Sequence, residues 1–285
     1  MAPRIDLHAH TTHSDGSMSP TELVDLAAET GLAALAITDH DTTAALPEAR
    51  EAAARHGIEL LASCEITAGV PSGIAHVLAY AFDEDHSAFQ HLLAGVRAGR
   101  DERNRILHEK LEALRVPVSE ADVRKHAIGS IVARPHFAMA LVDRGHVATM
   151  RQAFDRYLKD GGPAYARAPV PSVDEALRCI VEAGGVAVLA HPRSLKLGSE
   201  QAYRESFTSM RDAGLAGLEV DHPSQDRKLR RQFGALAEEL GLERSGGSDF
   251  HGAHKPGIAL GSGDGSIEVT YDTWERLRAR AGRVA

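Results

Sequence analysis

Short apolar runs alternate with longer amphipathic ones along most of this chain, and several of the short runs stop at a histidine or a carboxylate. Ile5-Asp6-Leu7-His8 reads as a strand leading into Ala9-His10. Ala33 to Thr38 is apolar and stops at Asp39-His40-Asp41. Ile58 to Ser63 stops near Glu65, Val186 to Ala190 stops at His191-Pro192, and Glu243 to Ser248 leads into Asp249-Phe250-His251. His76 opens a further run, Val77 to Tyr80. All are of strand length. Helical patterns separate them. Ser19-Pro20-Thr21-Glu22 carries an N-cap, a proline at the first helical position and a capping glutamate, so a helix is predicted to about Thr30, closed by Gly31. Further helices are predicted over 44–56 before Gly57, 173–183 before Gly184-Gly185, and 229–240 before Gly241. This alternation predicts parallel βα units. In a barrel of such units the functional residues gather at the C-terminal strand ends, where these ligand types sit.

From about Asp83 to Ala166 the rhythm changes. Residues 88–114 read as one long helix, Ser119-Glu120-Ala121-Asp122 as the cap of another, and 135–143 and 150–159 as two more. The expected organisation is an α/β barrel formed by residues 1–84 and 167–285, with residues 85–166 inserted as a helical, substrate-capping subdomain.

Composition narrows the options. A length of 285 residues suits one large α/β barrel or two smaller domains, and 43% hydrophobic with 25% charged residues is ordinary for a globular chain. A net charge of −8 supplies no field that would gather long DNA or a membrane surface. The sequence shows no leader and no membrane-spanning apolar run, so a cytoplasmic location is expected. Cys64 and Cys179 are too few for a disulfide framework and read as reduced core residues. The sixteen histidines stand out.

His8 and His10 are two apart, so on a strand both imidazoles project to one face, with Asp15 close behind. Such a set can hold a divalent transition metal. Taken alone it can equally be two unrelated surface histidines; recurrence of the pattern at other strand ends favours the metal. Asp39 and Asp41 flank His40 and read as carboxylates that orient imidazoles. His56, ahead of Gly57, reads as a helix-end cation, and His86, His91, His108, His126 and His146 as surface residues.

Together, Asp6-Leu7-His8-Ala9-His10-Thr11, Ser14-Asp15-Gly16, Thr38-Asp39-His40-Asp41, Glu65, His76, His191-Pro192 and Ser248-Asp249-Phe250-His251 resemble the polymerase and histidinol phosphatase (PHP) family of metal-dependent phosphoesterases. The resemblance covers both flanks of the chain. It implies a distorted (β/α)7 barrel resembling a TIM barrel, with up to three metal ions in its mouth, manganese first and iron or zinc as alternatives. His8, His10, Glu65 and Asp249 would hold one metal. Glu65, His76 and His191 would hold a second, and Asp15, His40 and His251 a third. Many family members carry His where this chain has Asp15.

Within the family the chain is most similar to bacterial nucleoside 3′,5′-bisphosphate phosphatases, whose relatives also trim short RNA from the 5′ end. The grounds are Asp15, Ala133-Arg134-Pro135-His136, and Glu219 followed by His222-Pro223. This similarity implies hydrolysis of a 3′-phosphate by a hydroxide generated on clustered metals. Asp249, His191 and His222 are the expected catalytic set, with His222 or His191 as acid. The second phosphate needs cations: Arg134 and His136 first, then Asn104, Lys255 and Arg193. Helix capping is the structural alternative for Arg134. Arg103, Arg105 and Lys110 read as solvated helix-face residues. Three rival readings share the motifs: a histidinol-phosphate phosphatase, a polymerase-type nuclease module, and a metal-dependent amidohydrolase. A non-catalytic metal- or nucleotide-binding protein is the rival of another class.

Overall fold

The computed structural model describes residues 3–127 and 131–281. The chain is an α/β protein that divides into two units, one formed by Met1–Leu93 with Pro171–Ala285 and the other by Ala94–Val170. No helix among the described residues is long and apolar enough to cross a membrane.

The first unit carries two sheets. In the smaller, β1 (Ile5–Ala9), β2 (Ala34–Ile37) and β3 (Glu59–Leu61) run parallel in that order. In the larger the order is β4 (Ser63–Val70), β5 (Gly73–Tyr80), β6 (Val186–Leu189), β7 (Leu215–Asp221) and β8 (Glu243–Gly246). The pattern predicted parallel strands throughout, and here the structure differs. β5 runs antiparallel to both of its neighbours. Val70 pairs with Gly73, so the intervening turn is only Pro71-Ser72, and Gly73 adopts a φ of 139° that a side chain disfavours. Two residues suffice for a hairpin, whereas a parallel return needs a crossover element.

The hairpin moves two expected ligands from strand ends into strand interiors. Glu65 pairs with Leu78 and Thr67 with His76, so Glu65 and His76 project from one face. Cys64, Ile66 and Ala68 alternate to the other face, where they join Val77, Ala79 and the apolar sides of helices in the main core. Cys64 and Cys179 are free and buried.

The sheets are joined at both ends of the strand series by isolated parallel bridges. Asp249 N–H donates to the His8 carbonyl at 2.8 Å and His10 N–H to the Phe250 carbonyl at 2.9 Å. Asp41 N–H donates to the Glu65 carbonyl at 2.8 Å and Glu65 N–H to the Asp39 carbonyl at 3.2 Å. Beneath these bridges Ile5, Leu7, Ala36, Leu78, Tyr80 and Val188, drawn from both sheets, form one buried cluster. The Tyr80 hydroxyl donates to the Leu7 carbonyl at 2.7 Å and so satisfies its own buried polar end.

Helices lie where their caps predict. α1 (Pro20–Glu29) has a full Ser19–Glu22 capping box. α2 (Leu46–His56) closes on left-handed Gly57, and α7 (Val173–Glu182) begins at Val173 as expected, capped by Ser172. α9 (Arg227–Leu240) starts two residues earlier than the apolar pattern indicated, because Asp226 caps it. Two helices were not anticipated: α8 (Glu200–Asp212), which buries Tyr203, Phe207 and Met210, and α10 (Tyr271–Arg278), which buries Trp274 and Leu277. Their apolar residues recur every three or four positions, a signal diluted by charged neighbours.

The boundary between units falls inside α3 (Ser87–Ala113). The second unit adds α4 (Glu120–Arg124), α5 (Arg134–Asp143) and α6 (Met150–Ala153), the last continuing as a π-helical turn over Phe154–Leu158. Its core is separate and includes Leu107, Leu111, Phe137, Leu141 and Leu158.

Gly247 lets β8 run on past β1. A Cβ there would sit 2.3 Å from the His8 Cβ and 2.7 Å from the His8 backbone nitrogen. Gly247→Ala should therefore destabilise the fold by about 1–3 kcal/mol or more, the ordinary cost of overpacking. Thermal or urea denaturation checks this; unchanged stability would mean that the two strands are not held so close.

Candidate metal centre

β1 sends His8 and then His10 into a space floored by Glu65 from β4. His8 Nε2 and His10 Nε2 are 3.1 Å apart. Each nitrogen stands 3.2–3.3 Å from Glu65 Oε2 and 3.4–3.5 Å from Asp249 Oδ1. Asp249 arrives on the bridge that follows β8. On the other Glu65 oxygen, His76 Nδ1 approaches to 3.0 Å and His191 Nε2, from the end of β6, to 3.1 Å. His40 Nδ1, beyond the end of β2, is 3.2 Å from Glu65 Oε2. Asp15 extends the cluster: its oxygens lie 3.3 Å from His251, 3.6 Å from His10 and 3.7 Å from His40. All nine residues expected as ligands thus lie together.

The donors fit divalent metal. Imidazole and carboxylate ligands bind such ions at about 2.0–2.2 Å, so neighbouring ligand atoms around one ion stand about 3.0–3.4 Å apart. The separations within the His8, His10, Glu65 and Asp249 set match that spacing. His40 Nδ1 and His76 Nδ1 are buried and, although close to Glu65, make no hydrogen bond with it, which is costly unless the nitrogen is a ligand. Four sets bring three or more donor atoms within one ion's reach: His10, Asp15, His40 and His251; His8, Glu65 and His191; His8, His10 and Asp249; His40, Glu65 and His76.

Local backbone strain accompanies the site. His191 (φ 29°), Asp41 (φ 56°) and Asp249 (φ 54°) occupy left-handed conformations that ordinary residues avoid, at a cost of about 1–3 kcal/mol each. All three immediately follow or flank strand ends. The Asp249 conformation is held by its bond to the His8 carbonyl.

The supporting carboxylates differ from expectation. Asp39 accepts from Thr11 N–H at 2.7 Å, from the Thr11 hydroxyl at 2.5 Å and from the Ser14 hydroxyl at 2.5 Å; it reaches His10 only through Ser14, whose Oγ is 3.3 Å from His10 Nδ1. The Asp41 carboxylate accepts from the Thr67 N–H and hydroxyl, fixing the loop after β2 to β4. Asp6 accepts from the backbone of His8, Ser248 and Gly261. The carboxylate that touches an imidazole directly is Glu219 on β7, 2.8 Å from His8 Nδ1. In the sequence Glu219 enters only as a ground for the similarity, ahead of His222-Pro223; its local signal is an acid between Leu218 and Val220.

Among the remaining expected residues, His222 Nε2 lies 3.1 Å from Asp249 Oδ2, and its Nδ1 accepts from Ser224 N–H at 3.0 Å. The Lys255 ammonium pairs with the same Asp249 oxygen. Arg193 donates to the Ser224 carbonyl, which holds it on the loop after β7. Arg134, His136 and Asn104 belong to the second unit. Arg134 donates to Asp160 at 2.5 Å and to the Leu158 carbonyl at 3.3 Å, and its guanidinium lies 5.4 Å from the centre of the Tyr165 ring. His136 Nδ1 accepts from Ala133 N–H at the start of α5, and Asn104 donates to the Val132 carbonyl. Arg103 is not a solvated residue. It donates to Val132, and burial, with Arg100 and Arg134 nearby, pushes its guanidinium down to about 10. Arg105 is exposed and paired with Glu102 and Glu109, as expected, whereas Lys110 is held by the Tyr165 carbonyl.

The PHP domain family matches residues 6–165. The chain belongs to the PHP domain family. Over 282 residues and 99% of both chains, this PHP protein is 36% identical to the 3′,5′-nucleoside bisphosphate phosphatase of Chromobacterium violaceum. It is also 36% identical over 276 residues to the 5′-3′ exoribonuclease Rnm of Salmonella typhimurium, covering 95% of this chain and 94% of that one. Among solved structures, a protein put forward as a metal-dependent phosphoesterase from Bifidobacterium adolescentis superimposes with a TM-score of 0.82 at 34% identity, covering 99% of this chain and 97% of that one.

Without metal the cluster of this PHP protein must balance itself with protons. Burial opposes charging of His10, yet Asp249 and Glu65 raise it to about 10; His40, dominated by burial, falls to about 4. Burial likewise opposes ionisation of Asp249 and Glu65, but the surrounding imidazoles hold both well below the usual carboxylate range. His10 is therefore protonated at pH 7 and must lose that proton to become a ligand. Adding divalent metal to the chelator-treated protein at pH 7 should release protons, read with an indicator dye in dilute buffer. The sign for stability is separate. A His10 value raised above its unfolded value contributes stability that is complete below about pH 6.5. That contribution is lost as pH rises toward about 10. Metal uptake without proton release would reject this charge balance.

Proposed function

We propose that this PHP protein hydrolyses the 3′-phosphate of nucleoside 3′,5′-bisphosphates, using divalent metal held at the Glu65-centred cluster. Manganese is our first choice; the nitrogen and oxygen donors also suit iron and zinc. The observation that carries the reading is the gathering of eight imidazoles and carboxylates, from separate strands and the loops that follow them, around one buried glutamate. Its likeness to a bisphosphate phosphatase over nearly the whole chain points to the substrate class. We read the two bridged sheets as one distorted barrel, residues 1–84 and 167–285, and residues 85–166 as the part that caps substrate.

In this reading His8, His10, Glu65 and Asp249 hold a first metal, Glu65, His76 and His191 a second, and Asp15, His40 and His251 a third. Such ions lower the pKa of water toward about 7 and neutralise charge on a phosphoryl group. The chain's own residues then complete the chemistry. Asp249 presents Oδ1 to the first site while Oδ2 is retained by His222 and Lys255, so its orientation is fixed from both sides. His222 carries its proton on Nε2, because Nδ1 accepts from Ser224 N–H. It is the better acid for a leaving 3′-oxygen, since His191 in this reading gives its Nε2, beside Glu65, to the second metal. Arg134, His136 and Asn104 serve the second phosphate, and Arg103 adds a further guanidinium to that group. Arg193, tethered to the Ser224 carbonyl, steadies the loop that carries His222. Short RNA with a 5′-phosphate presents the same pair of groups, an anchoring 5′-phosphate and a phosphorus on O3′. The exoribonuclease relatives therefore fit the same proposal.

A phosphate-release panel with manganese tests it, comparing nucleoside 3′,5′-bisphosphates, histidinol phosphate, an aryl phosphate and short 5′-phosphorylated RNA. Bisphosphates should be cleaved with the highest kcat/KM; preference for histidinol phosphate would overturn the substrate assignment. His8→Ala and Asp249→Ala should each remove turnover while leaving a folded protein. Arg134→Ala should raise KM for the bisphosphate roughly 10-fold or more, the scale of a lost charged hydrogen bond, and leave the aryl phosphate almost untouched. Equal effects on both substrates would reject the anchoring role.

A further inference from the structure

Glu219 sits at the centre of β7 with its side chain fully buried, and both of its oxygens are committed. Oε1 accepts from His8 Nδ1 at 2.8 Å. Oε2 accepts from the backbone N–H of His191 at 2.7 Å. His191 is the residue held at φ 29°, so this second bond fastens a strained backbone. A buried carboxylate costs several kcal/mol unless well paired, and an apolar residue would serve a strand at least as well. Neither of its partners has another reason to need a charge at this position.

We propose that Glu219 is a positioning residue that couples the two metal positions sharing Glu65. Through His8 it fixes which imidazole nitrogen faces the first position. Through the His191 backbone it sets where that imidazole stands at the second. The inference rests on the metal reading of the cluster and goes beyond it. One oxygen pair, not two separate supports, aligns ligands for both ions.

The carboxylate is needed because both partners are donors. An ionised carboxylate offers only acceptors and satisfies both. The isosteric amide of glutamine offers one acceptor and one donor. With its oxygen toward His8, its NH2 meets the His191 N–H; reversed, its NH2 meets His8 Nδ1–H. Either orientation breaks one of the two bonds while volume is conserved. Glu219→Asp keeps the charge but is one methylene shorter, so it reaches one partner only.

The test is metal binding to full-length, chelator-treated protein, followed with Mn2+ by calorimetry and by elemental analysis after equilibrium dialysis. Turnover on a bisphosphate is measured alongside. Losing such a supporting partner typically weakens metal affinity 10–100-fold. In Glu219→Leu, which removes both bonds, we expect that loss in the two tightest manganese equivalents together, with a cooperative thermal melt retained. We also expect loss of the downfield proton resonance of His8 Nδ1–H, which the wild-type protein should display. His76→Ala, which touches only the second position, should weaken one equivalent. If Glu219→Leu does not fold, Glu219→Ala, which also removes both bonds, is measured against the same expectation. Wild-type affinity in a folded Glu219 variant, or weakening of a single equivalent, overturns the coupling while the metal reading stands. Absence of manganese binding by the wild-type protein removes both.

Discussion

The Glu65 carboxylate lies within 3.0–3.3 Å of nitrogens from His8, His10, His40, His76 and His191, while its side chain is 1% exposed. This crowding sets conditions that the rest of the fold meets. Removing a carboxylate from water carries a large desolvation cost, which only close positive charge or a metal offsets. The imidazoles in turn cannot all be protonated side by side, since like charges disfavour one another. The metal-free cluster resolves this by splitting: His10 is held protonated between two carboxylates, and His40 is driven neutral by burial, with His10 and His76 adding to it against the pull of Glu65 and Asp15. A fold that brings these groups together therefore requires cations, protons or metals, at specific places.

Delivering Glu65 to that spot is a matter of backbone. Two reciprocal bonds with Asp39 and Asp41 register β4 against the end of β2, and the short β4–β5 turn brings His76 back onto the same face. At the opposite edge, Gly247 and the bonds of Asp249 and His10 close β8 onto β1. Strain is tolerated at Asp41, His191 and Asp249 because each is bonded into a rigid neighbour. The aspartates beside the histidines are part of this scaffold. They bind hydroxyls and amides, which set loop shape, and leave direct imidazole contact to Glu219.

The ligand set was legible in the sequence for a simple reason. Polar residues that interrupt apolar strands are expensive, and a chain seldom repeats them at strand ends without use. His8, His10, His40, His191, Asp249 and His251 all follow that logic. Glu65 and His76 were legible as residues but not as positions, because a two-residue hairpin turn was hidden in Val70-Pro71-Ser72-Gly73 and the strands were taken to be parallel. Glu219 was visible as a lone acid in an apolar strand, but its partners are 211 residues away at His8 and 28 away at His191. Such pairing is tertiary and leaves no local signature. α8 and α10 were missed because their apolar faces are narrow and their charged faces wide.

The second unit shows the complementary failure. An arginine on a long charged helix is ordinarily read as solvated, and Arg105, paired with Glu102 and Glu109 on the surface, obeys that reading. Arg103, two residues earlier, points the other way and is half-buried; that burial, with Arg100 and Arg134 adding to it, presses its pKa down. Helical periodicity separates residues 103 and 105 by about 200°, so opposite fates for neighbours of one type are expected once one face is covered. Gathering guanidiniums raises the energy of a chain unless acceptors answer them, as the exposed Asp160 does at Arg134 and the Val132 carbonyl at Arg103. A sequence under pressure for stability alone would place an acid or an apolar residue at position 103. Under the function proposed above, the cations are kept to receive an anion of more than one charge, as a phosphate monoester is near neutral pH. That proposal gives the second unit the same economy as the metal cluster with the sign reversed: charge that is unfavourable in the chain alone prepares it for its ligand.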